Sequence, residues 1–140
     1  PVGLAARDSL RLEMGFCLYG NDIDQATNPL EAGLGWITKL SKSDFIAKDV
    51  LVKVKENGLN RKLVALTSAE KIFPRHGYDI TTNGSKIGVI TSGTVSPMLD
   101  QPIAMGYVET KYAEIGSEVN FLIRGKEVPA KVVKLPFVKR

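Results

Sequence analysis

The chain has one cysteine and one histidine in 140 residues. Cys17 therefore cannot close an internal disulfide, and no Cys/His cluster surrounds it at metal-ligand spacing, a usage in keeping with a reducing compartment. No apolar run approaches the roughly 18 residues that a membrane-spanning helix needs, and no signal-peptide pattern opens the chain. Internal repeats and low-complexity segments are absent as well. The single histidine also starves acid–base catalysis. His76, in PRHGYDI, stands beside a glycine turn and reads as a surface residue. Ser92, in TSGTVSP, lacks the G-x-S-x-G surroundings of a nucleophile elbow and reads as a turn residue. Asp22 and Asp24, in NDID, lack the ligand spacing of a calcium loop and read as solvated loop acids. No catalytic constellation and no metal site is legible.

What is present is enough apolar material for a core: 44% of residues are hydrophobic, in a chain the length of one domain or of one domain plus a fragment. The absence of an initiator methionine before PVGLAARDSL makes it read as the C-terminal part of something longer. The net charge is +4, and residues 121–140 concentrate it, with six basic side chains against Glu127. Such a tail invites a nucleic-acid-binding reading through Lys131, Lys134, Lys139 and Arg140. Only Phe121 and Phe137 accompany those charges, however, and no strand shows the alternating aromatics of a stacking platform, so nucleic acid is disfavoured.

Ala6, Leu10, Met14 and Cys17 recur at roughly helical spacing, which predicts a short first helix beginning near Arg7 and Asp8 and broken at Gly15. An acid suits the first turn of a helix and a cation does not, so Arg7 calls for an anionic partner or a functional role. Ion pairing of Arg7 or Arg11 with Asp8 or Glu13 is the plain alternative. NPLE, with Asn28 as cap, Pro29 at the first position and Glu31 completing a capping box, predicts a second helix from Asn28, weakened at Gly33 and Gly35. A third helix is expected from Ser43 or Asp44 through DFIAKDVLVKVKE to Gly58.

After Gly58 the period changes to that of strands. RKLVALTS, GYDI, SKIGVITSG, PIAMGYVE, SEVNFLIR and KEVPAKVVK follow one another, with hairpin turns at Asn83-Gly84 and Arg124-Gly125. Six short strands predict a closed or nearly closed antiparallel barrel or jelly roll, which hides both its apolar face and its edges. Pro129 marks part of the last strand as an edge or a bulge. The fold class is α+β, mainly β.

GLAARDSLRLEMGFCLYGNDID and KIGVITSGTVSPMLDQPIAMGYV resemble the aminomethyltransferase family, the T-proteins of the glycine cleavage system. NPLEAGLGW, KSDFIAKDVL and KLPFVKR resemble it too, in order and spacing, so the similarity spans nearly the whole chain. The related folate-binding domains of sarcosine and dimethylglycine dehydrogenases share the plan, but LYGNDID and TSGTVSPML resemble the T-proteins more closely. Ala47 departs from the family's DFIGK glycine, a difference expected to test only local packing.

The resemblance implies that residues 1–42 are the edge of a preceding folate-binding domain and a connector, and that residues 43–140 are a C-terminal barrel domain with a leading helix. It implies transfer of a one-carbon unit from the aminomethyl-lipoyl arm of H-protein to tetrahydrofolate, with release of ammonia. Lipoylated H-protein, tetrahydrofolate and the N-terminal domains of the same protein are the implied partners. Tetrahydrofolate carries a glutamate tail, and guanidinium groups hold carboxylates in a two-pronged grip. Arg7 matches the family's folate-contacting arginine, and Arg140 a C-terminal arginine that the family brings back to the active-site region. Trp36 and Tyr19 are secondary candidates. The pterin pocket and the catalytic aspartate of the family lie upstream of residue 1, so no catalytic residue is assigned here. A non-catalytic folate-binding scaffold is the alternative. Glycine cleavage runs in the bacterial cytoplasm or the mitochondrion, and the bacterial cytoplasm is the expected location.

Overall fold

A computed structural model describes residues 2–139. Among them two α-helices precede six strands: α1 (Leu4–Glu13), α2 (Lys48–Asn57), β1 (Arg61–Thr67), β2 (Asp79–Thr82), β3 (Ser85–Ser96), β4 (Gln101–Glu109), β5 (Glu118–Ile123) and β6 (Lys126–Val133), with a 3-10 turn at Thr110–Tyr112. The strands close into an antiparallel barrel in the order β1-β4-β3-β2-β5-β6, with β6 returning to β1. Closure gives every strand two neighbours and leaves only a short edge, in the first half of β6, to template aggregation. The expected hairpin turns are there: Asn83-Gly84 and Arg124-Gly125 both take the positive φ that a two-residue turn requires.

The barrel interior is filled from every strand, by Leu66, Ile80, Ile90, Val108, Phe121 and Val132 among others. β4 is buried on both faces, which explains the unbroken apolar run PIAMGYV. Ala104 and Val108 point into the barrel. Ile103 and Met105 point outward into a second cluster with Leu12 of α1, flanked by Cys17, Leu135 and Phe137. The N-terminal helix and the C-terminal tail thus cover the same side of the barrel. They also meet each other, as the Phe137 and Val138 amides donate to the Glu13 carbonyl at 3.0 and 3.2 Å. Among the described residues, no helix is long and apolar enough to cross a membrane.

Several local expectations need correction. Helix α1 starts at Leu4 with Gly3 as its cap, and no acid lies in its first turn. The Arg7 amide already donates to Gly3 O at 3.2 Å, so Arg7 sits inside the helix and not at an orphaned N-terminus. At Asn28 the capping box forms as expected: Asn28 Oδ1 accepts from the Leu30 and Glu31 amides, and Glu31 Oε1 accepts from the Asn28 amide. No helix follows. The chain turns repeatedly instead, with Gly33 at φ 75°, and Glu31 is drawn into an ion pair with Arg61. A capping box starts a helix but does not propagate one.

As expected, Pro129 lies in a part of β6 that is an edge. β6 pairs with β5 from Lys126 to Lys131, while its register with β1 begins only at Lys131, so Pro129 sits in the stretch that β1 does not reach.

The third helix begins at Lys48, later than Ser43 or Asp44, because Ala47 takes a left-handed conformation at φ 67°. Ala47 is exposed, so its departure from glycine tests backbone strain and not local packing. The left-handed region costs a residue bearing a Cβ about 1–2 kcal/mol, partly offset by the greater chain entropy that glycine loses on folding. Ala47→Gly is expected to stabilise the protein by about 0.5–1 kcal/mol. Thermal melts of the two proteins check this, and a lower melting temperature in the glycine variant would contradict it.

Candidate functional site

Arg7 and Arg11 stand one turn apart on α1 and line one cavity of about 280 Å³ with Leu4, Asp8, Leu18 and Asn21. The two arginines have opposite fates. Arg11 is nearly buried and fully engaged: its guanidinium pairs with Asp8 at 2.6 Å and with Asp22 at 2.6 Å, and donates to Ser92 Oγ at 2.8 Å and to the Phe16 carbonyl at 3.1 Å. Arg7 is exposed, and its side chain has no ion pair or hydrogen bond with any described residue.

The plain alternative for Arg7 is thereby removed. Asp8 serves Arg11, and Glu13, only 4% exposed, accepts instead from Ser96 Oγ and from the Met98 amide at 3.1 Å. Glu13 is a tie between the end of α1 and the β3–β4 turn.

Asp22 is not a solvated loop acid. Its side chain is 0% exposed; Oδ2 accepts from Arg11 and from the Leu18 amide at 2.9 Å, and Oδ1 accepts from the Thr91 hydroxyl at 2.5 Å. Nor is Ser92 a turn residue. It lies within β3, and the register shift between Ile90 and Ser92 makes Thr91 the extra residue of a bulge. Strict alternation would send Thr91 and Ser92 to opposite faces; with the bulge both hydroxyls reach the Arg11–Asp22 pair, Thr91 at Asp22 and Ser92 at Arg11. Two adjacent small polar residues inside the apolar run IGVITSGTV are the signal from which this bulge could be read. His76 is exposed, as expected, and its Nδ1 lies 2.7 Å from the Thr91 carbonyl. A carbonyl only accepts, so that nitrogen carries the proton.

A second chain of contacts runs from the Asp22 backbone. The Tyr107 hydroxyl donates to Asp22 O at 2.8 Å, and the Arg61 guanidinium stacks 4.6 Å from the Tyr107 ring centroid while pairing with Glu31 at 3.1 Å. Burial, then the nearby Glu31 charge, pushes the Tyr107 phenol up to about 12, so it stays a donor throughout the physiological range. The hydrogen bond with Glu31 likewise holds Arg61 charged. Burial and the Asp22 carboxylate push the Cys17 thiol up, which disfavours its reactive thiolate.

Trp36 and Tyr19 are both largely exposed, so neither is core packing among the described residues. Trp36 stands on a separate cleft with Lys39, Lys55 and Lys62. Arg140 lies outside the described residues. Arg7 is singled out by the sequence as a cation that lacks an evident partner, whereas the linkage of Arg11, Asp22, Thr91 and Ser92 beside it becomes visible only in the fold.

Residues 61–139 match the family model described as the glycine cleavage T-protein C-terminal barrel domain, and residues 1–42 match the N-terminal domain of the same family. Among curated relatives, aminomethyltransferases of Halothermothrix orenii and Flavobacterium psychrophilum are 54% and 55% identical over 99% and 100% of the chain. The chain spans 39% of the length of each. The crystal structure of glycine cleavage system aminomethyltransferase T from Bartonella henselae superposes with a TM-score of 0.93 at 42% identity, over 98% of this chain and 39% of that one.

Proposed function

Because the chain belongs to the glycine cleavage T-protein family, we propose that it is the C-terminal part of a tetrahydrofolate-dependent aminomethyltransferase. The reaction is the transfer of a one-carbon unit from the aminomethyl-lipoyl arm of H-protein to tetrahydrofolate, giving 5,10-methylenetetrahydrofolate and ammonia. The observation that carries this reading is the succession of two family matches along one chain, supported by relatives named for the same activity across its full length. The reading divides the chain into residues 1–42, at the edge of the preceding folate-binding domain, and residues 43–140, the barrel domain with α2 leading into it. The named relatives are bacterial, and we assign the protein to the bacterial cytoplasm.

In this reading Arg7 grips a carboxylate of the glutamate tail. Its guanidinium has no described partner, and the cavity beside it has room for a carboxylate-bearing chain end but not for a whole folate. The pterin is then held by the preceding part of the protein. Val2, Leu4, Leu10 and Phe16 are apolar and exposed on or beside α1, as expected where such a part would pack. Arg140 is the second proposed carboxylate contact, and the Phe137 and Val138 bonds to Glu13 carry the tail that precedes it back to α1.

The 140 residues alone are expected to release no ammonia from aminomethylated H-protein in the presence of tetrahydrofolate, whereas the complete protein does. Turnover by the purified chain at the rate of the complete protein would overturn the division of labour proposed here.

A further inference from the structure

We infer that Asp22 is the positioning residue of the Arg7 site, its buried carboxylate joining the helix wall and the turn wall of the cavity that Arg7 lines. The inference rests on the reading of Arg7 as the grip for a folate carboxylate. Arg7 and Arg11 form one wall from α1, and Leu18 and Asn21 form the other from the turn that follows it. Asp22 Oδ2 binds both at once, taking the Arg11 guanidinium at 2.6 Å and the Leu18 amide at 2.9 Å. Its own amide donates back to Leu18 O at 2.9 Å, which closes the turn on itself. Oδ1 is held by Thr91 and the Asp22 carbonyl by Tyr107, so the joint is anchored to β3 and β4 of the barrel.

Charge makes the arrangement selective between the two arginines. Asp8, Asp22, Ser92 and the Phe16 carbonyl together engage Arg11, the two carboxylates more than offset its charge, and Arg7, unpaired among the described residues, is left as the cation that faces an incoming anion. Asparagine at position 22 keeps the volume but removes the charge that ties Arg11 to the turn, leaving Asp8 on the helix as its only carboxylate among the described residues. The helix wall then loses its charged tie to the turn wall, and with it the fixed register in which Arg7 faces the cavity. A two-pronged guanidinium grip depends on that geometry, so the effect of Asp22 on the ligand passes through Arg7.

A double-mutant cycle in the complete protein separates this role from plain stabilisation. Wild type, Asp22→Asn, Arg7→Ala and the double variant are titrated with tetrahydrofolate by calorimetry, with a thermal melt of each. Asp22→Asn is expected to weaken binding about tenfold in the wild-type background and by less than about twofold in the Arg7→Ala background, a non-additivity typical of coupled neighbours. Equal weakening in both backgrounds would make Asp22 a structural residue only and would overturn the inference while leaving the Arg7 reading intact. Wild-type affinity in Arg7→Ala itself would instead end the Arg7 reading, and the inference with it. Should Asp22→Asn fail to fold, Ser92→Ala removes one acceptor from Arg11 and keeps the ion pair. It is expected to weaken binding about threefold, again only where Arg7 is present; the same loss in both backgrounds would overturn the inference.

Discussion

In the complete protein, Arg7→Ala is expected to weaken tetrahydrofolate binding by about 1.5–3 kcal/mol, the scale of a hydrogen bond to a charged group, or about 10- to 150-fold in affinity. Arg7→Lys should recover only part of this, since an ammonium supplies charge without the planar pair of donors. Stability should hardly change in either variant, because Arg7 is exposed and its side chain bonds to no described residue. Calorimetric titration with tetrahydrofolate and parallel thermal melts read the two effects separately. Unchanged affinity, or a loss fully restored by lysine, would contradict the proposed grip.

The largest stability effect is expected one helical turn away. Arg11→Met would leave the Asp22 carboxylate buried at 0% exposure with its cation gone, and breaking such a pair from one side costs about 3–5 kcal/mol. The Arg61–Glu31 pair is the internal control. Arg61 is 43% exposed, its stacking on Tyr107 adds little, and Arg61→Met is expected to cost about 1 kcal/mol. Urea unfolding of both variants measures the contrast. Equal costs would mean that burial does not distinguish the two pairs, and would remove Asp22 from the centre of the framework.

Elements whose cause is local were legible from the sequence. The Asn83-Gly84 and Arg124-Gly125 turns carry their own conformational preference, and the strands they join alternate clearly enough to predict a barrel of six. Arg7 was legible as a cation that needed explaining. The remainder depends on tertiary context. Gly3 caps α1 without any side-chain signal, so the start of the helix was misplaced. The capping box at Asn28 is real, but Glu31 is held by Arg61, 30 residues away, and the helix it announces does not form. Asp22 looks solvated in LYGNDID, and only closure of α1 against β3 brings Arg11 and Thr91 to it. The strain at Ala47 was invisible because φ is a property of the folded turn.

The most direct test of the account is a stoichiometric assay of the complete protein with aminomethylated, lipoylated H-protein and tetrahydrofolate, following ammonia and 5,10-methylenetetrahydrofolate together. Both are expected to form in equal amounts, neither to accumulate at a comparable rate without tetrahydrofolate, and both to slow in Arg7→Ala at subsaturating tetrahydrofolate. Tight binding of tetrahydrofolate with no ammonia and no methylene product would contradict the account and make the protein a folate-binding scaffold.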